Sequence, residues 1–168
     1  MYNDLMKKLL IALILVLVLS PVFAASPKNS FSELKAVDLK SNVVTSEIFK
    51  DYDVTMINVF TTWCYYCILE MPELQQMAEE LPENANLIFI CADAYEAPKD
   101  LKEIVDYFKL TSTILKMKGT EVQSYYKISG YPTSFFVDSQ GNILQTAVSA
   151  NSKDGYMKII NSLLEKSK

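Results

Sequence analysis

The chain has 168 residues, 20 acidic and 16 basic side chains and a net charge of −4, and every basic group is a lysine. With an acidic balance, no arginine and no basic stripe, it lacks the groups that grip nucleic-acid phosphates, so nucleic acid is not an expected partner. It also has no histidine, which excludes Ser-His and Cys-His dyads, histidine metal clusters and Cys-x-x-Cys-His haem attachment, and leaves the chemistry to thiols and carboxyls.

Residues 1–24 read as a signal peptide. Lys7 and Lys8 precede an unbroken apolar run from Leu9 to Leu19, and Ser20-Pro21-Val22-Phe23-Ala24 supplies small residues for cleavage. The run is shorter than the roughly 20 apolar residues of a spanning helix, and Pro21 interrupts it. Cleavage near Ala24 is therefore favoured; the alternative is an uncleaved anchor that tethers the domain to the outer face of the inner membrane. Removing 24 of the 168 residues leaves 144, one domain over residues 25–168 with room for a substantial core. One acidic and two basic groups leave with the segment, so the remaining chain carries a net −5.

Phe31 to Leu39 alternates as a short strand or hairpin, and Thr45 or Ser46 is placed to cap a brief helix through Lys50. Val54-Thr55-Met56-Ile57-Asn58-Val59-Phe60 reads as a buried central strand that ends just before two cysteines. From Cys64 to about Leu81, the residues Leu69, Leu74, Met77, Ala78 and Leu81 recur at helical spacing. Glu73, Gln76, Glu79 and Glu80 supply the wet face, and Pro72 is expected to kink the helix. Residues 86–92 form the next strand, and Pro98 to Leu110 a second amphipathic helix.

A short segment at Ile114 to Met117 and a helix over Glu121 to Lys127 lead to Gly130-Tyr131-Pro132-Thr133. Ser134 to Asp138 and Ile143 to Val148 are strands joined by a turn containing Gly141 and Asn142. A closing helix from about Lys153 to Lys166 places Tyr156, Ile159, Ile160 and Leu163 on one face. Tyr125, Tyr126, Phe135 and Phe136 read as core filling. Alternating strands and helices predict parallel pairing.

Three cysteines imply one pair and one spare. Spacing makes Cys64 and Cys67 the pair, while Cys91 lies in the apolar run Leu87-Ile88-Phe89-Ile90-Cys91-Ala92 and reads as an inert strand residue. A thiolate, not a thiol, attacks a disulfide, and a helix N-terminus favours the thiolate. Cys64 follows a strand and opens a helix, with Cys67 one turn on, so Cys64 is the attacking sulfur and Cys67 the resolving one. The motif does not fix the direction of electron flow. A zinc site needs four ligands; only Cys91 and carboxylates remain to complete one, so neither metal nor cofactor is expected.

The sequence resembles the thioredoxin superfamily and, within it, the exported TlpA/ResA-type thiol-disulfide oxidoreductases. The resemblance rests on Asn58-Val59-Phe60-Thr61-Thr62-Trp63-Cys64-Tyr65-Tyr66-Cys67, on Glu70-Met71-Pro72-Glu73-Leu74, and on Gly130-Tyr131-Pro132-Thr133 with Phe135-Phe136-Val137-Asp138 and Gly141. It implies an α/β thioredoxin fold: a central mixed β-sheet flanked by helices, with an N-terminal strand or hairpin extension and a helix-strand insertion within residues 94–117.

By the same resemblance Pro132 is a cis-proline facing the cysteines and Tyr131 offers its backbone to an extended substrate segment. Trp63, next to Cys64, is the third candidate substrate-binding residue; it shields the disulfide or simply packs beside the site. Asn58 stands where cytoplasmic thioredoxins carry a buried aspartate. Glu70 stands where ResA-like members carry a glutamate that influences cysteine ionisation and proton transfer, the position from which a half-buried carboxyl of raised pKa takes the proton of Cys67; its alternative is a solvated surface residue. The Tyr65-Tyr66 pair departs from the Glu-Pro or Gly-Pro of well-known relatives, which leaves the redox potential open.

The implied function is that of a reductase of partner-protein disulfides, expected as a monomer, in the periplasm or on the cell-surface side of the inner membrane. Its implied partners are disulfide-containing client proteins, with apocytochrome c the best-known class as in cytochrome c maturation, and a membrane electron donor. The alternatives are a disulfide oxidase or isomerase, and a non-catalytic peptide-binding module on the same scaffold.

Overall fold

The computed structural model describes Asn3 and residues 30–167; the expected signal segment, Asn3 apart, lies outside the described residues. A hairpin of β1 (Lys35–Asp38) and β2 (Val43–Thr45) leads into a 3-10 turn at Ser46–Phe49. Thr45 is the N-cap residue but makes no side-chain cap hydrogen bond, and burial of Phe49 anchors the turn instead. There follow β3 (Val54–Phe60), α1 (Tyr65–Glu80), β4 (Ala85–Cys91), α2 (Pro98–Phe108), β5 (Thr113–Lys116), α3 (Gly119–Tyr126), β6 (Thr133–Val137), β7 (Ile143–Val148) and α4 (Lys153–Lys166).

The seven strands form one mixed sheet in the order β2-β1-β5-β4-β3-β6-β7. β3 pairs in parallel with β4 and antiparallel with β6, and β4 pairs in parallel with β5. The N-terminal hairpin joins through β1 against β5, so the expected hairpin extension and the insertion, α2 with β5, meet at one side of the sheet.

Every residue of β3 is buried, which is why its sequence shows an apolar run rather than alternation. On one face Val54, Met56 and Phe60 pack with Met71, Leu74 and Met77 of α1 and with Tyr156 and Ile160 of α4. On the other, Ile57 and Val59 pack with Phe31, Phe49, Val122 and Tyr126. Consecutive Phe135 and Phe136 enter opposite clusters, as a strand's alternation requires. Each large apolar side chain so buried contributes about 1.5–3 kcal/mol.

The helix α1 runs on through Pro72, which lies exposed and leaves the Ile68 carbonyl without an i+4 donor. One detail of α1 differs from expectation. Leu69 is not on the core face but 56 % exposed. The buried stripe is Cys67, Glu70, Met71, Leu74 and Met77, spaced by three and four, and Leu69 sits about 200° around the helix from Cys67. A carboxyl therefore occupies a core-facing position.

Candidate active site

The carboxyl ends of β3 and β4, the first turn of α1 and the loop before β6 converge on the two cysteines. Cys64 is the N-cap of α1, and its sulfur accepts the Cys67 backbone N–H at 3.2 Å. Free N–H groups and the helix dipole favour negative charge at that end, so the site suits a Cys64 thiolate. Cys64 and Cys67 form a disulfide with Cα atoms 5.3 Å apart. Cys67 is fully buried, whereas Cys64 keeps 6 % of its surface; only the first sulfur has any access to a partner.

Around this opening the large side chains point outward. Trp63, Tyr65, Tyr66 and Leu69 are 73 %, 68 %, 64 % and 56 % exposed, which removes core packing as the explanation for Trp63. Its ring meets Tyr131 edge-on at 6.1 Å, bringing the loop of β6 against the cysteine segment. The Tyr131–Pro132 peptide is cis, as expected, and the Pro132 carbonyl accepts the Ser149 N–H at 3.0 Å. A groove of about 610 Å³ lined by Thr62, Ile68, Ile104, Tyr107 and Phe108, with Asp100, Glu103 and Asp106, continues from the site between α1 and α2.

Behind the cysteines lies a buried polar ring. Glu70, one turn beyond Cys67 on the same face, is only 4 % exposed, so it is not a solvated surface glutamate. Its Oε1 accepts from Asn58 Nδ2 at 2.8 Å, and its Oε2 accepts from the Tyr156 hydroxyl at 3.0 Å and the Asn151 N–H at 3.3 Å. Asn58 also donates to Ser134 at 3.1 Å, and Ser134 donates to Tyr156 at 3.4 Å. Burial raises the Glu70 pKa above its usual 4.5, and the Asn58, Tyr156 and Asn151 bonds pull the other way. The result is a carboxyl held by donors yet readier than an exposed one to take a proton.

Cys91 is a free, fully buried thiol at the end of β4. It donates to Asp93 Oδ1 at 3.2 Å, and burial pushes its pKa far up, as suits an unreactive sulfur. Among the described residues no group of three or more cysteine, aspartate or glutamate side chains is arranged to hold a metal ion.

Tyr156, Ser134, Asn151, Thr62 and Asp93 escaped the sequence reading. The sequence sets Tyr156 on one face of the closing helix with Ile159, Ile160 and Leu163 and gives it no polar role, yet it is fully buried and a buried phenol needs a hydrogen-bond partner. Asp93 had a positional signal: it follows the strand parallel to β3, and functional groups in such sheets gather at the carboxyl ends of strands.

A family model described as the AhpC/TSA family matches residues 27–146. The chain is similar to the thiol-disulfide oxidoreductase ResA of Oceanobacillus iheyensis, at 31 % identity over 109 residues, 62 % of this chain and 56 % of that protein. ResA of Bacillus cereus is 29 % identical over 107 residues, 62 % of this chain and 61 % of that one. The match thus spans less than two thirds of either relative. A thiol:disulfide interchange protein of the thioredoxin family from Chlorobium tepidum superposes with a TM-score of 0.69 at 21 % identity, over 83 % of this chain and 98 % of that one. That likeness shows the thioredoxin fold.

Proposed function

The chain belongs to the AhpC/TSA family, as a thioredoxin-superfamily protein of ResA/TlpA type, and from that premise we propose that it is an extracytoplasmic thiol-disulfide oxidoreductase that reduces disulfides in partner proteins through Cys64 and Cys67. The carrying observation is the Cys64 sulfur at the N-cap of α1, bonded by the Cys67 N–H and next in the chain to an exposed Trp63 in contact with Tyr131. Relatives named thiol-disulfide oxidoreductase support the same reading.

In the reduced protein the Cys64 thiolate attacks one sulfur of the client disulfide, and the other client sulfur leaves as a thiolate. Glu70 then takes the Cys67 proton. The Cys67 thiolate attacks the Cys64 sulfur of the mixed disulfide, forms the Cys64–Cys67 bond and releases the second client sulfur, which is protonated. Two electrons pass to the client, and a membrane donor of two electrons restores the dithiol. Trp63, Tyr65, Tyr66 and Tyr131 form an apolar collar for the client, with Pro132 beside it and the Tyr131 backbone available to an extended segment. Apocytochrome c is the client class that the ResA-type resemblance implies. Export rests on the composition of residues 1–24.

Substituting Cys64→Ser abolishes turnover of a disulfide substrate in this account, and Cys67→Ser accumulates a mixed disulfide with the client in the native compartment. An unchanged biological activity of Cys64→Ser would sink the proposal and favour a peptide-binding module.

A further inference from the structure

The register of β3 and β4 sets Phe60 beside Cys91. Two residues beyond each, the chains leave the sheet side by side, which brings Asp93 against Thr62. The Asp93 carboxylate accepts the Thr62 N–H at 2.9 and 3.1 Å with its two oxygens, the Thr62 hydroxyl at 2.6 Å and the Cys91 thiol at 3.2 Å. Its own backbone is anchored: the Asp93 carbonyl accepts the N–H groups of Glu96 and Ala97, and the residue bridges Lys118. All three side-chain partners are donors, an arrangement that suits a carboxylate and mismatches an amide NH2.

Thr62 precedes Cys64 by two residues, a span of at most about 7 Å, so the carboxylate lies within about 10 Å of the start of the cysteine turn. The titratable groups around it include Cys91 on β4, Tyr131 in the loop before β6, Glu96 in its own turn and Lys118, whose backbone it bridges. The Asp93 charge adds to the upward push on the Tyr131 phenol, so its field reaches the residue in contact with Trp63. A fixed negative charge there opposes the Cys64 thiolate. Destabilising the reduced form makes a dithiol a stronger reductant.

We propose that Asp93 is a positioning residue that fixes the Thr61–Trp63 segment ahead of Cys64 and, through its charge, biases the Cys64–Cys67 pair toward giving up electrons. This rests on the exchange reaction proposed above. The test is the equilibrium constant of the full chain in dithiothreitol redox buffers, read by alkylation and mass, for wild type, Asp93→Asn, Asp93→Ser and Glu96→Gln.

Both Asp93 variants shift the constant three- to tenfold toward the reduced form, up to about 30 mV by the two-electron relation, and form the Cys64 thiolate at lower pH. Glu96→Gln removes an equal charge from the same turn without touching the Thr62 contact and stays within twofold. Folded Asp93 variants indistinguishable from wild type, or a Glu96→Gln shift as large as theirs, overturn the proposal. Asp93→Ser supplies the reading should Asp93→Asn fail to fold. Absence of any reversible transition in wild type overturns the exchange reading itself.

Discussion

The Tyr156 hydroxyl donates to Glu70 Oε2 at 3.0 Å across 86 positions of sequence. This bond ties α4 to α1 directly behind the cysteine turn, and it joins the Asn58 and Asn151 donors in opposing the rise that burial imposes on the Glu70 pKa. The final helix therefore tunes the carboxyl assigned to proton handling.

Replacing Tyr156 by Phe removes one donor from the carboxylate, so the Glu70 pKa rises further. Less Glu70 is then ionised at a given pH, and the pH at which mixed-disulfide resolution reaches half its maximum moves upward. The lost buried bond costs about 1–3 kcal/mol of stability. Stopped-flow resolution rates from pH 5 to pH 9, with parallel urea unfolding, measure both; an unmoved pH profile argues against Glu70 as the proton acceptor.

Glu70 also leaves a mark on stability. Its folded-state pKa lies above its ordinary value of 4.5, so the folded protein holds that proton more tightly than the unfolded chain. The associated stability is fully present below the ordinary value and is lost as pH rises through the raised one. Unfolding of the oxidised wild type compared with Glu70→Gln should show a gap that widens against wild type over that window and then levels off. A pH-independent gap contradicts the raised pKa.

Cys91 is buried, and burial suppresses its ionisation. Alkylation of the folded, reduced protein should label Cys64 quickly and leave Cys91 unlabelled until denaturation. Cys91→Ala should retain exchange activity at a stability cost of about 1–2 kcal/mol. Loss of turnover in a folded Cys91→Ala protein would assign Cys91 a redox role.

Tyr65 and Tyr66 are exposed and stack edge-on against each other at 5.5 Å. Replacing both by Ser should raise KM for a protein disulfide several-fold while stability shifts by about 0.5 kcal/mol or less, as for exposed sites. Turnover of a small disulfide should fall far less. Equal losses with both substrates would place their effect on the redox pair rather than on client contact.

The central strand, the cysteine turn, the cis-proline position and the closing helix were legible because each is a local pattern: an apolar run, a Cys-x-x-Cys after a strand, a Tyr-Pro-Thr before one, an apolar stripe. The face of α1 was harder. Leu69 fits an apolar stripe by composition, but the β3 side chain opposite is Asn58, and a polar residue there selects Glu70 as its partner. The Thr62–Asp93 contact depends on strand register, which a single strand's composition does not encode. The same holds for Ser134, which meets Asn58 across the β3–β6 pair.

The most direct test of the account is the midpoint potential of the Cys64–Cys67 pair in thiol redox buffers, reported by the fluorescence of Trp63, the single tryptophan. The account predicts a reversible two-electron transition near or below about −250 mV, close to thioredoxin. A midpoint near about −120 mV would contradict the reductase direction, and the absence of any reversible transition would contradict the exchange chemistry altogether.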